Sequence, residues 1–469
     1  MTQPMLPICT VCSPELAIEL INTNVQTSYK PGDTLVGRVT RTKVGAVPEA
    51  KVTVTIEGHS RAQLAFPGPG SDRTFQSTFN TLTGPVDAQV LHADAPLHVP
   101  DGSEGLSWPF AITIPALVTD VRQGGESDLY LAPNGADPDA RSAAFTPPAS
   151  FAYDGEFPGE ITKCKAFIEY YVKATIAVAR QHKGRTVMTY HDAIAPFKLT
   201  HVRFGPPVTD FEQRRQRLRY SVIAYHLIPG FGPLTFCQKT RQMLRSSKVP
   251  KLTVKFDLSL PSVLQIGNSA VLPIRLFVEP CLQKTSGSLR GIPQKVSVKS
   301  FTLRLGSHTH VQAANQIIEQ SALEVELVPP NAVRDYFRVH RQGLGFSITP
   351  RADGVEEPSE TLHLGELLDI RMHKYPFLTL TTHPTFTAYN VSRAYELVWE
   401  LQVSVTAGNF FKLGSRHSVK VLSRAYEPLV AETGGGEAEE PLPTYRASME
   451  EEPPTYRASM EQYLPVYAD

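Results

Sequence analysis

Along most of this chain, apolar and polar residues alternate with a period of two. In "KVTVTIEG" (51–58), Val52, Val54 and Ile56 alternate with Thr53, Thr55 and Glu57, the pattern of a strand with one face in a core. "KLTVKFDLSL" (251–260) carries a longer stripe, with Leu252, Val254, Phe256, Leu258 and Leu260 on one side and Lys251, Thr253, Lys255, Asp257 and Ser259 on the other. "AFIEYYVKATIAV" (166–178) and "AYELVWELQVSV" (394–405) repeat the pattern, the latter placing Tyr395, Leu397, Trp399, Leu401 and Val403 on one face. Turn signals such as "YKPGD" (29–33), "FPGPG" (66–70) and "LQIGNS" (264–269) separate such stretches.

Helical periodicity is scarce, so the fold class predicted is all-β, with two tandem immunoglobulin-like β-sandwich domains. "TDFEQRRQRLRYSVIAYHLI" (209–228) is the one sizeable helix candidate, and it falls where the chain changes character. The organisation read from these patterns is a flexible N-terminus (1–13), an N-terminal sandwich (14–202), a basic and partly helical junction (203–248), a C-terminal sandwich (249–425) and a tail (426–469). Within the first sandwich, residues 121–160 are rich in Gly, Pro, Asp and Ser and are expected to form a mobile insertion. Beyond Ala431, "ETGGGEAEEPLPT" has nothing apolar to bury, so the tail is expected to be disordered.

The length of 469 residues supports two packed domains rather than one. Formal charge sums to zero, with 46 basic and 46 acidic residues, but the distribution is uneven. Between Arg203 and Lys251 stand ten Lys or Arg against two acids, whereas Leu429 to Asp469 holds nine acids, two arginines and no lysine. Five scattered cysteines, Cys9, Cys12, Cys164, Cys237 and Cys281, argue for a reducing compartment rather than a disulfide framework. The opening "MTQPMLPICTVCSPE" makes a poor signal peptide, and no run approaches the 18 or so apolar residues of a spanning helix.

The tail carries the sharpest motif. Tyr445, Tyr456 and Tyr467 lie eleven residues apart, preceded by "LPT", "PPT" and "LPV". The units Leu442-Pro443-Thr444-Tyr445, Pro453-Pro454-Thr455-Tyr456 and Leu464-Pro465-Val466-Tyr467 are three copies of a Leu/Pro-Pro-x-Tyr phrase of the kind WW domains bind. Proline holds φ near −65° and so pre-organises a polyproline II segment for an aromatic groove, while the tyrosine reaches a separate pocket. Leucine in place of the first proline loses some of that preorganisation, so the middle copy is expected to bind most tightly. About seven residues separate successive motifs, a flexible span of roughly 15 Å. That favours rebinding of one domain among three sites alongside true bivalency. The prolines inside each repeat exclude an eleven-residue helical period. Tyr463-Leu464-Pro465-Val466 also matches a tyrosine-based sorting pattern and overlaps the third unit.

Several stretches, in order, resemble arrestin phrases. "YKPGDTLVGRV" (29–39) looks like the tyrosine, proline-glycine and spaced-glycine phrase of arrestin N-domains; "LSWPFAITIP" (106–115) and "IEYYVKATI" (168–176) are similar to the strands that follow. "LTVKFDLSLPSVLQIGNSAVLPIRLFV" (252–278) and "YELVWELQVSVTAGNFFKL" (395–413) resemble C-domain phrases. The resemblance spans roughly 14–425 and, with the tail, points to the alpha-arrestins, the branch that includes the fungal arrestin-related trafficking adaptors. It implies the arrestin fold and an adaptor, not an enzyme, that recruits a HECT-type ubiquitin ligase through its WW domains. The partners implied are that ligase and the cytosolic parts of plasma-membrane transporters or receptors, which would be ubiquitinated and endocytosed. A cytoplasmic location with recruitment to plasma membrane and endosomes follows from the same resemblance. So do ubiquitin acceptors outside the lysine-free tail, with Lys239, Lys248 and Lys251 as candidates. No stretch matches the core by which visual and beta-arrestins sense phosphorylated receptors. The alternative is an arrestin-like signalling or vesicle-trafficking scaffold that acts without ligase recruitment.

Arg214, Arg215, Arg217, Arg219, Arg241 and Arg245 form a patch suited to an anionic membrane or an acidic partner. The bland alternative is a solvated face. Nucleic acid is not the expected partner, since interleaved aromatics and a basic domain are missing. "CTVC" (Cys9, Cys12) has one zinc knuckle's spacing with no second pair at finger distance. "HADAPLH" (92–98) and "HTH" (308–310) read as loop and strand histidines. No zincin, nucleophile-elbow or Walker phrase occurs, and no cofactor is expected.

Overall fold

The computed structural model describes residues 6–21, 28–68, 72–82, 88–119, 130, 144–155, 163–182, 185–200, 203–340, 343–350, 361–375, 383–406 and 409–426. These residues fall within a compact unit ending at Tyr426. It is all-β, built from antiparallel sheets stacked in pairs.

The first sandwich sets a three-stranded sheet of β1 (Ala17–Leu20), β2 (Thr34–Arg41) and β6 (Leu106–Thr113) against a larger one. The larger sheet runs β11 (Arg185–Phe197), β10 (Lys163–His182), β3 (Gly45–Phe66), β4 (Arg73–Asn80), with β5 (Gln89–Val99) also on β3 and β9 (Phe151–Gly155) also on β10. A short pair, β7 (Val118–Thr119) and β8 (Ala144–Phe145), lies beside them. Val52, Val54 and Ile56 are buried, as their alternation predicts, against Leu35, Val39, Phe110 and Ile112 of the smaller sheet. The "YKPGD" phrase is a turn: the Asp33 amide donates to the Lys30 carbonyl at 3.0 Å across Pro31 and Gly32, and Gly32 takes φ +93°, which glycine tolerates.

In the second sandwich, β13 (Gln213–Ile223), β14 (Lys251–Pro261), β16 (Arg275–Pro280) and β20 (Thr361–His363) form one sheet. The facing sheet orders β15 (Val263–Gln265), β23 (Asn409–Leu422), β22 (Val391–Val405), β17 (Gln294–Ala313), β18 (Gln316–Val328), with β19 (Gly345–Ile348) on β17 and β21 (Phe386–Thr387) on β22. All five residues of the 251–260 stripe are buried against Phe301, Leu303, Trp399 and Leu401. A parallel pair, β12 (Arg203–Phe204) and β24 (Ala425–Tyr426), joins the linker to the last described strand. Helices are few; α1 (Phe236–Met243) lies between β13 and β14, α2 (Ala332–His340) after β18, and α3 (Leu364–Leu367) after β20.

Three expectations are corrected. The predicted helix over 209–228 is β13 followed by a short 3-10 turn at Tyr225–Leu227. Leu218 and Val222, four apart, fit a helix face and a strand face equally, and full-length pairing with β14 decides for the strand. The second sandwich therefore begins at Gln213 rather than 249. The insertion is not mobile throughout. Phe145, Ala149 and Phe151 are buried, β9 pairs with β10, and the Tyr170 hydroxyl donates to the Pro148 carbonyl at 2.6 Å; the rest of 121–160, apart from Tyr130, lies outside the described residues. The N-terminal segment is held from Ile8 onward. The Ile8 amide donates to Glu169 at 2.6 Å, and Val11 exchanges two backbone hydrogen bonds with Ile194, both 2.9 Å, which extends the β11 edge.

Candidate functional site

The three Leu/Pro-Pro-x-Tyr units, with Leu442, Pro443, Tyr445, Pro453, Pro454, Tyr456, Leu464, Pro465 and Tyr467, lie outside the described residues. The basic region lies within them. On β13 the register with β14 sets side: Gln216, Leu218, Tyr220 and Val222 stand opposite buried Leu258, Phe256, Val254 and Leu252, on the core-facing side. The Trp399 indole donates to Gln216 at 2.7 Å, and Tyr220 stacks on Phe411 with ring centroids 3.9 Å apart. These contacts hold an arginine-rich sequence on the sheet edge, where charge discourages a further strand from pairing.

Arg215, Arg217 and Arg219 alternate with those residues and so line the outer face, in cross-strand rows that continue through β14 and β16. The first row is Arg215, Ser259 and Arg275; the second Arg217, Asp257 and Phe277; the third Arg219, Lys255 and Glu279. Arg217 Nε donates to Asp257 at 3.0 Å, and the Arg215 guanidinium lies 5.4 Å from the Phe277 ring centre. Arg219 faces Lys255, and Lys255 in turn faces Glu279 across the next strand pair. Arg214 is exposed at the start of the strand.

Arg241, the other patch arginine within an element, sits in the last turn of α1, and Arg245 just beyond it; both are exposed. Thr235 caps the helix through a reciprocal capping box with Gln238. Of the three candidate acceptor lysines, Lys239 on α1 and Lys248 in the following loop are exposed, while Lys251 opens β14 and is half-buried. Thus the arginines of β13 and of α1 belong to two surfaces, a sheet face and a helix, not to one helix. Phe236, Met243 and Leu244, exposed on the same helix, escaped the sequence reading; their i, i+7, i+8 spacing was the available signal.

A cleft between the two sandwiches is lined by Phe151, Tyr153, Thr309, Gln320, His383 and Arg393. The Arg393 guanidinium there is committed to Glu324 at 2.6 Å, Thr309 at 2.7 Å and the Tyr395 hydroxyl at 3.0 Å. Its charge thus serves to tie strands together. Burial pushes the Tyr153 hydroxyl up to about 12, so at neutral pH it is a phenol and not a base. Cys9 and Cys12 are exposed, and among the described residues no three His, Cys, Asp or Glu side chains gather as a metal site. His308 lies between Glu319 at 3.2 Å and Glu396 at 3.3 Å on a strand face. No described helix is long and apolar enough to cross a membrane. No protein-family model matches the chain, and no curated protein matches it.

Proposed function

We propose that this protein is a non-catalytic adaptor of the alpha-arrestin type, which brings a HECT-type ubiquitin ligase to plasma-membrane transporters or receptors and so promotes their ubiquitination and endocytosis. The observation that carries the reading is the threefold Leu/Pro-Pro-x-Tyr repeat ending at Tyr445, Tyr456 and Tyr467. The all-β body agrees with it, because an arrestin-like adaptor needs two sandwiches that present broad surfaces rather than a catalytic cleft. Exposed Lys239 and Lys248 are available as acceptors for a bound ligase. The protein works at the cytosolic side of the plasma membrane and of endosomes.

The test is a calorimetric titration of the full chain with the tandem WW region of a HECT ligase. The wild type is expected to bind with micromolar or tighter affinity, and the variant with Tyr445, Tyr456 and Tyr467 all changed to Ala to lose that binding. Among single changes, Tyr456→Ala is expected to cost most, roughly 2 kcal/mol as for an aromatic anchor in its pocket. A wild type that ignores WW domains overturns ligase recruitment and favours a scaffold acting without it.

A further inference from the structure

We infer that α1 is an interfacial anchor that lays its apolar face on an anionic lipid bilayer. This inference uses no residue of the tail and stands or falls apart from ligase recruitment.

The excursion that contains α1 leaves the sheet at Ile223 and returns at Lys251, and these two residues are paired, so the whole segment hangs from one end of the second sandwich. At that end Gln294, the first residue of β17, donates its amide to the Leu227 carbonyl at 2.8 Å. The other end of β17, at Val311 and Ala313, is packed into the core of the first sandwich. Hence α1 sits at the tip of the body remote from the first sandwich.

Its amphipathicity runs opposite to that of a helix packed on a core. Gln242 turns inward and accepts the Tyr225 amide at 3.2 Å, Gln238 is half-buried, and no residue of the helix is buried. Phe236, Met243 and Leu244 are 84, 85 and 72 % exposed. They share one face with Thr240, because their spacing is that of successive turns. Lys239 and Arg241 flank this face on either side, with Arg245 and Lys248 following, and no acid occurs between Glu212 and Asp257. The favourable interaction of Arg241 and Arg245 with the helix C-terminus accounts for their charge but not for three large apolar side chains left in water. An apolar strip bordered by long basic side chains is the form that a headgroup region accommodates, with aliphatic stems buried and charges among anionic lipids. A protein groove would instead supply acids to meet Lys239 and Arg241 one by one; a bilayer needs only a negative surface.

Flotation of the full chain with phosphatidylcholine vesicles, with and without phosphatidylserine, tests this. The wild type is expected to float with the serine-containing vesicles and progressively less as salt is raised. Phe236→Ser with Met243→Ser and Leu244→Ser should lower partitioning by about tenfold or more at every salt concentration. Lys239→Gln with Arg241→Gln and Arg245→Gln should lower it at low salt and flatten the salt dependence. Both variants should keep the wild-type unfolding midpoint, since these side chains bury nothing in the body. Brominated lipid should quench the emission of the Phe236→Trp variant beyond that of wild type, whose tryptophans are Trp108 and Trp399. A wild type that stays with the buffer, a triple serine variant that floats as wild type does, or an unquenched Phe236→Trp variant overturns the proposal. A concentration-dependent dimer abolished by the triple serine change, with no vesicle binding, assigns the face to a second copy of this chain and likewise overturns it.

Discussion

Glu57 shows how one carboxylate can set the acid sensitivity of the first sandwich. It projects from β3 beside His59, whose Nε2 lies 3.4 Å from Oε2, and the Tyr171 hydroxyl on β10 donates to the same oxygen at 2.6 Å. Lys173 stands 3.7 Å from the other oxygen. The hydrogen bond with His59 is the strongest influence; with Tyr171 and Lys173 it outweighs burial and takes the carboxyl from 4.5 down to about 2. A carboxyl depressed on folding contributes stability that is complete above its unfolded value and is lost as pH falls from about 4.5 through about 2. Glu57→Gln is therefore expected to be less stable than wild type at pH 7 and to lose less on acidification to pH 3, as measured by urea midpoints at the two pH values. Parallel losses in both proteins would show that this carboxyl does not set the acid limb.

At the scale of elements, the spaced glycine of "YKPGDTLVGRV" acquires a cause. Gly37 lies on β2 beneath the ring of Phe110 on β6, and a Cβ there would overlap that ring and come 2.6 Å from the Glu19 carbonyl of β1. Phe110 is buried and cannot swing aside. Gly37→Ala is expected to destabilise by about 1–3 kcal/mol through overpacking, and Phe110→Leu added to it should recover part of the loss in urea denaturation. A neutral Gly37→Ala would mean that the Phe110 ring and the Glu19 carbonyl yield to a Cβ without cost. The strand character of β13 is decided at the same scale. Its arginines disfavour neither helix nor edge strand, whereas Gln216 beneath the Trp399 indole and Tyr220 on Phe411 reward only the strand.

At the scale of the whole body, the two sandwiches are joined by a polar hub set among aromatic contacts. Asn390 is fully buried; its carbonyl oxygen accepts from the Ser60 hydroxyl, and its amide donates to the Ser77 hydroxyl at 3.0 Å and to the Ser60 carbonyl at 3.2 Å. Phe79 stacks on Tyr389 at 5.0 Å, and Phe151 meets Phe386 edge-on at 5.1 Å. Val311, Ala313 and Val391 of the second sandwich complete the core of the first. Asn390→Leu takes these partners from the buried Ser60 hydroxyl and carbonyl, an expected cost of about 3 kcal/mol, while the half-buried Ser77 hydroxyl keeps the Gln312 carbonyl at 2.9 Å. Because the hub spans both sandwiches, the calorimetric transition should also broaden or split. Adding Ser60→Ala and Ser77→Ala should restore part of the stability, since removing both sides of a buried hydrogen bond costs less than removing one. A single sharp transition at the wild-type temperature in Asn390→Leu would show that the hub does not couple the sandwiches.

What the sequence determined by itself is what depends on near neighbours. The alternation at Val52, Val54 and Ile56 and the stripe from Leu252 to Leu260 specify strands and their buried faces, because a pleated strand turns successive side chains to opposite sides whatever lies across the sheet. The eleven-residue tyrosine spacing is equally legible, since a linear motif needs no partner within the chain to be read. Leu218 and Val222 were ambiguous between two periods, and only pairing with β14 resolved them. The amphipathic spacing of Phe236, Met243 and Leu244 is visible in the sequence, but the direction it faces is not. Local physics favours turning an apolar face inward, whereas in the folded body Gln242 faces inward to the Tyr225 backbone and the apolar face is exposed. Asn390 likewise reads as an ordinary turn residue until Ser60 and Ser77, more than three hundred positions away, arrive beside it. Periodicity is a property of a segment, whereas a buried polar partner or an outward-facing apolar strip is a property of two segments meeting, and only the folded body brings them together.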